Sequence, residues 1–172
     1  MDIISHVLIG KIISFNKNRL AQIWTMIFSY LPDLTQIPFY IMLGYENARP
    51  FLFPYNSDWV DASKNHVILN IMWEASHSLF FALLIVLPII LFFKLPKIAF
   101  LGYILHIIID IPTHKGEWLI KPFYPLNYSI NGFTNSWAWP IWIMALSWMV
   151  LILIIFSLNI FKKKNDRPLN KS

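Results

Sequence analysis

Cysteine is absent from the 172-residue sequence, which excludes disulfides, thiolate metal sites and a cysteine nucleophile. Charge is scarce as well, at 13% of residues, about half of what a soluble domain carries. With 57% hydrophobic residues and a mean hydropathy of +0.55, the chain has too little polar surface to face water on all sides, so lipid is expected to cover much of it. The start, Met1-Asp2-Ile3, lacks the basic region and small-residue cleavage site of a signal peptide and is expected to belong to the mature protein. Internal repeats and low-complexity tracts are missing too, and the length suits one domain.

What charge there is sits unevenly. The net charge is +5, and +4 of it falls on residues 162–172, where Lys162, Lys163, Lys164, Arg167 and Lys171 face only Asp166. Such a tail reads as a topological anchor near anionic lipid and not as a nucleic-acid arm. The chain therefore divides into a membrane-embedded part, 1–161, and a basic cytoplasmic tail, 162–172.

Five apolar segments precede the tail: about Ile3 to Phe15, Leu20 to Leu43 (interrupted by Pro32 and Pro38), His66 to Phe93 (with Pro88 as an expected kink), Lys97 to Ile111 (closed by Pro112 and Gly116) and Trp137 to Phe161. Continuous apolarity over such lengths predicts helices, because barrel strands would alternate every second residue. The expected fold is all-α, an integral membrane bundle of four to five hydrophobic helices, with the first segment short for a full span. Lys17 and Arg19, Lys94 and Lys97, and the basic tail all fall on one side of an up-down path, which the positive-inside rule makes cytoplasmic. This predicts a multi-pass protein of the cell (inner) membrane with a cytoplasmic C-terminus. The longer connections, 44–65 and 112–136, then face outward. Their Phe51, Phe53, Tyr55, Trp59, Trp118, Phe123, Tyr124, Tyr128 and Phe133 suit an interfacial aromatic belt, or the mouth of a site.

Ionisable residues within these segments carry the functional signal. An aspartate at the centre of a membrane helix costs about 2.5–3.5 kcal/mol on insertion scales, so it needs a partner. His106 and Asp110 are spaced i,i+4 and project from one helix face. There they are either a divalent-metal pair or a hydrogen bond neutralising two buried groups. Glu74 and His77 have the Glu-x-x-His spacing of bundle metal sites. The alternative is a polar helix face. Asp33 is either a further ligand or the start of a capping box, Asp33-Leu34-Thr35-Gln36. His114, beyond Pro112, is a further ligand, a proton shuttle or an interfacial histidine. His6 lies near the N-terminus, and His66 reads as a helix-start residue. At ~1.5 Å per residue from the nearest cytoplasmic charge, His6 and Asp33 lie at about 16 and 21 Å, His106 and Asp110 at about 13 and 19 Å, and His77 at about 25 Å. These depths allow all five to meet.

His6 in Ser-His-Val-Leu-Ile-Gly, Leu31-Pro32-Asp33, Ser76-His77-Ser78 and Gly102-Tyr103…His106…Asp110…Thr113-His114 together resemble the YdjM-like (LexA-regulated) membrane-bound metal-dependent hydrolases. The resemblance covers about residues 3 to 126. It implies a helical membrane protein with a metal site built from His6, Asp33, His77, His106 and Asp110. The His-x-x-x-Asp element also looks, more distantly, like one in the helical zinc phospholipase C group. Thr35 stands where the family often has a second aspartate, and Met72 and Glu74 where it often has a histidine.

The expected activity is hydrolysis by a metal-activated water, with Glu74 or His114 as general base or acid. The nitrogen/oxygen donor set without sulfur suits Zn2+ first, then Mn2+ or Fe2+. The substrate expected at such a depth is lipid-like or a phosphoester. A membrane protein using its His/Asp cluster for ion or proton transport is the alternative.

Overall fold

The computed structural model describes residues 2–165. Among these the structure is helical, with a single antiparallel bridge between Ile120 and Ile130 in place of any strand. Helix α1 (Ile3–Ile13) starts at Asp2, whose side chain accepts from the Ser5 backbone and hydroxyl. Helix α2 (Arg19–Leu34) is capped by Asn18 and is followed by α3 (Ile37–Glu46). The second apolar segment is thus two helices. The capping reading of Asp33 does not hold. Asp33 lies in the last turn of α2, and the N-cap position of α3 is Gln36, which makes no side-chain cap bond.

After α4 (Asn56–Asn65), the third segment divides into α5 (Val67–Ser76) and α6 (Leu79–Phe92), bent by 65°. His66 joins α4 to α5 at the N-cap position, as expected. The bend falls at His77-Ser78 and not at Pro88. The Ser78 hydroxyl oxygen accepts from the Phe80 N–H and so caps the new helix. Pro88 follows a π-helical turn, Ala82–Val86; such turns absorb local departures from the α ladder. Helix α7 (Ile98–Thr113) continues through Pro112 and ends one residue later, with His114 as its cap residue. A proline in the last turn removes one ladder bond at a point where the helix is stopping anyway.

Helices α2 and α7 make the most extensive helix contact, and α1 packs against α2. Two glycines allow these helices to approach closely. A Cβ on Gly102 would lie 2.8 Å from the Thr25 carbonyl oxygen, and one on Gly10 would lie 2.9 Å from Met26 Cα. Gly102 faces Thr25 while His106 reaches Ser29, so α2 and α7 run parallel and begin at the same end. Tyr103 and Ile107 of α7 belong to the hydrophobic core and are fully buried.

Helix α8 (Ile141–Asn165) is tied to α1 by the Trp148 indole donating to Asp2 at 2.8 Å. Over Ile141–Lys164 its most apolar stretch has a mean hydropathy of 2.6 and none of it is buried. At 1.5 Å per residue such a helix is about 36 Å long, enough to cross a bilayer core. It is the one helix among the described residues that is long and apolar enough to do so unaided. The bent pair α5–α6 makes a second when counted as one broken span, and α1 and α7 are shorter apolar helices. Four to five full spans are therefore not present as single straight helices. Lys162–Lys164 form the last turn of α8, and Arg167, Lys171 and Asp166 lie outside the described residues.

In the connection after α3, Arg49 donates to both oxygens of Asp58 at 2.6 and 2.8 Å and stacks 4.1 Å from the Tyr55 ring centre. Trp59 and Trp118, expected in an interfacial belt, are instead buried, Trp59 against Trp118 and Trp118 against Trp73, whereas Phe51, Phe53 and Phe133 are exposed. The Arg49 hydrogen bond holds the Asp58 carboxyl below the usual aspartate range, against the opposing effect of burial. A depressed carboxylate stabilises the fold above its unfolded value, near 4, and that contribution is lost as pH falls through the folded value. Pepsin cleavage around Phe53 in wild-type protein is expected to be slower than in Asp58→Asn at the upper end of the protease's pH range. The two rates should converge as pH drops below about 4. A pH-independent ratio would refute the role of the pair.

Candidate metal centre

Four side chains converge where α2, α5 and α7 meet. Asp33 comes from the last turn of α2, His77 from the break after α5, and His106 with Asp110 from one face of α7. All four are buried, His77 and Asp110 completely. One donor atom from each can be chosen so that all lie within 4.8 Å of one another.

Both central imidazoles have their outer nitrogens engaged. His106 Nδ1 lies 2.8 Å from the Ser29 carbonyl oxygen, one turn before Asp33 on α2. His77 Nδ1 lies 2.9 Å from the Trp73 carbonyl oxygen and 3.1 Å from Ser76 Oγ. A carbonyl can only accept, so each Nδ1 carries the proton, and in the neutral ring Nε2 presents a lone pair. Those two Nε2 atoms face each other at 3.2 Å. Around them, Asp110 Oδ2 is 3.2 Å from His106 Nε2 and 3.8 Å from His77 Nε2, and Asp33 Oδ1 is 3.7 Å from each.

Two carboxylates and two imidazole lone pairs thus point at one place with little water access. Unrelieved, that arrangement is costly, because buried charge must be paired or coordinated. A divalent cation would balance both carboxylates. With bonds of about 2.0–2.2 Å to nitrogen and oxygen, tetrahedral donors sit about 3.3–3.6 Å apart. Five of the six edges, at 3.2–3.8 Å, bracket that spacing, and the Asp33–Asp110 edge is within 4.8 Å. The four residues can hold one metal ion, and the histidine–carbonyl bonds behind them are the outer partners such sites require.

Further contacts fix the cluster from behind. The Tyr103 hydroxyl donates to the Ser76 carbonyl at 2.5 Å, tying α7 to the end of α5. Thr35 Oγ1 lies 3.2 Å from Ser76 Oγ and donates to the Pro32 carbonyl, so this position links helix ends. Trp73 stacks on His77 with ring centres 3.9 Å apart.

The remaining candidates are placed differently. His6 is buried and stacks on His106 with ring centres 3.8 Å apart. Its Nε2 lies 3.1 Å from the other oxygen of Asp110, Oδ1, without hydrogen-bond alignment. It borders the group of four and is not one of its mutually close donors. His114 is buried with both ring nitrogens engaged. Nδ1 faces the Asp110 carbonyl oxygen at 3.0 Å, and Nε2 accepts from the Trp137 indole at 3.1 Å. Glu74 points elsewhere, to Lys121 Nζ at 2.6 Å.

Ser29 and Trp73 belong to the site without a spacing rule that assigns them to it, and Ser76 and Tyr103 stand in the quoted motifs with no role that the sequence alone gives them. Ser29 lies four residues before Asp33, on the same helix face, which is the one sequence signal that marks it. The backbone carbonyls that orient the histidines leave no signature in residue identity.

No family model, no curated protein and no solved structure matches this chain.

Proposed function

We propose that the chain is a membrane-bound hydrolase dependent on one divalent metal held by Asp33, His77, His106 and Asp110. The observation that carries this reading is the pair of inward-facing Nε2 atoms 3.2 Å apart, each fixed by a carbonyl behind it and flanked by two buried carboxylates. The donor set of nitrogen and oxygen suits Zn2+ first, with Mn2+ or Fe2+ as alternatives. When bound, such an ion supplies Lewis acidity, activating water and polarising the oxygen of an ester or phosphoester.

The chain's own residues orient and enclose. Ser29 and Trp73 hold the imidazoles by their carbonyls. His6 stacks on His106 and borders the outer oxygen of Asp110. On this reading Glu74 and His114 are positioning groups. Glu74 works through Lys121, and His114 through the Asp110 carbonyl. The resemblance to the YdjM-like hydrolases supports the same assignment.

A location in the cell membrane, crossed more than once with the C-terminus cytoplasmic, belongs to the same reading. Parallel α2 and α7 set Arg19 and Lys97 at one end, and Lys162 lies 5.8 Å from the Phe15 ring beside the α1–α2 turn. Three basic groups at one end favour that end as cytoplasmic.

The test is elemental analysis of the detergent-purified full chain, followed by a phosphoester and lipid-ester hydrolysis screen before and after chelation. Co-purifying metal near one ion per chain is expected, with turnover lost on chelation and restored by Zn2+. Protein that folds and stays metal-free in excess Zn2+ would mean that protons alone balance the cluster. Cation flux into proteoliposomes with no hydrolysis would replace the enzyme by a transporter.

A further inference from the structure

Beside the metal centre a cleft of about 400 Å³ opens between α3, the turn at residues 50–53 and the start of α1. Its walls are apolar: Ile3, Ile37 and Ile41 with Phe51, Leu52 and Phe53. Its inner end is polar and consists of Asp33 and Gln36. Asp33 belongs to both features. Its Oδ1 faces the two histidines, while its Oδ2 is buried without a hydrogen-bond partner. Gln36 is 95% buried by side-chain environment and donates to Thr35 Oγ1, and its Oε1 also has no partner. Two unsatisfied buried acceptors at the closed end of an apolar slot call for a ligand that brings donors there, since a buried acceptor without one is costly.

The outer wall is held in place at some cost. Phe51 and Leu52 have φ of 55° and 58°, a left-handed backbone that bulky residues rarely adopt. Such strain persists only where the surroundings enforce it and concentrates at ligand clamps and functional sites. Gly44 makes room for this turn, because a Cβ on it would lie within van der Waals overlap of the Leu52 backbone. The Arg49–Asp58 pair closes the same turn from the other side. The result presents Phe51 and Phe53 outward at the cleft, 94% and 68% exposed.

We propose that this cleft binds a single-chain amphiphile whose head group carries a hydroxyl or ammonium donor. The head would reach Asp33 and Gln36, and the alkyl chain would lie among Ile37, Ile41 and Phe53. The volume is in the range of pockets that enclose a small ligand, which suits one chain. This inference rests on the hydrolase reading only for what happens to the ligand; the binding itself stands apart from it.

The probe is a twelve-carbon alkyl phosphoethanolamine with a diazirine in mid-chain, photolysed with the full-length Zn2+-loaded protein in detergent and mapped by mass spectrometry. Label is expected on peptides containing residues 37–41 and 51–53. Ile41→Trp, which fills the slot from a half-exposed position, should lower that label about tenfold, the scale of one misfitted group in an apolar pocket, with metal content unchanged. Gln36→Leu should weaken labelling while leaving the same alkyl chain without its ammonium bound as before. Label spread evenly over lipid-facing peptides, or indifferent to Ile41→Trp, overturns the slot even when metal is present. Specific labelling of a protein that holds no metal keeps the slot and sinks the hydrolase reading instead.

Discussion

Replacing His106 by alanine is expected to take the metal retained by the purified protein from about one ion per chain to background. The substitution removes one of four donors and leaves the Ser29 carbonyl without the imidazole that lies 2.8 Å from it. Changes to outer partners alone commonly cost 10–100-fold in metal affinity, so losing a direct donor should cost at least about 100-fold. Binding to the folded state adds stability, about 2.7 kcal/mol when free ligand is at 100 times its Kd. Added Zn2+ should therefore raise the Tm of the wild type and leave that of His106→Ala unmoved. Membrane insertion should be unaffected, because the change makes α7 more apolar. The basal Tm should fall modestly, since an unsatisfied buried carbonyl costs about 1–3 kcal/mol. If His106→Ala keeps its full metal complement, His106 is not a ligand and the centre has been misassigned.

The second large effect needs no change to any ligand. Gly102→Val should destabilise the protein and empty the centre together. A Cβ at this position would lie 2.8 Å from the Thr25 carbonyl oxygen and 3.2 Å from Thr25 Cγ2, and valine adds two further methyl groups. The nearest obstacle is helix backbone, so relief requires α2 and α7 to move apart. Overpacking of this kind costs about 1–3 kcal/mol or more. The separation would also draw Ser29 and Asp33 on α2 away from His106 and Asp110 on α7. The expected signature is a lower Tm with lost Zn2+-dependent stabilisation. Ile108→Val, on the same helix at a half-exposed position, should change stability by no more than about 0.5 kcal/mol. Gly102→Val protein with wild-type metal affinity would show that the α2–α7 spacing does not control the site.

These two positions also show how far the sequence could be read. His106 and Asp110 were legible because helical periodicity alone puts them on one face, whichever way the helix packs. Asp33 was ambiguous because its local pattern fits a cap as well as a ligand. Only packing of α2 against α7 decides, and that depends on Gly102, whose meaning is invisible without the neighbouring helix. Pro88 misled for a related reason, whereas Pro112 closes α7 within one residue of the expected place. A proline marks a missing hydrogen bond, yet a π-turn or a helix end can absorb it, so the sharp bend came at His77-Ser78. Composition announced a helix long and apolar enough to cross a membrane, and α8 is one, but total apolarity does not count spans, because α2–α3 and α5–α6 break up what reads as continuous. Glu74 illustrates the converse limit. Its spacing to His77 is that of a ligand pair, while Lys121, 47 positions along the chain, takes its carboxylate.

The parallel pairing of α2 with α7 sets a schedule for the centre's birth. His106 is 77 residues downstream of the Ser29 carbonyl that orients it. At about 5–20 residues per second, synthesis leaves a gap of about 4–15 s between the two. Until that interval ends Asp33 lacks His106, one of the two imidazoles that face its carboxylate. The aspartate must then wait in a wet or interfacial setting, and α2 can settle against α7 only once the chain to Thr113 has emerged. On the proposed reading metal capture is accordingly a late event in biogenesis, and a ribosome stalled before residue 106 would expose a nascent chain that has two of the four ligands, Asp33 and His77, and lacks the pair on α7.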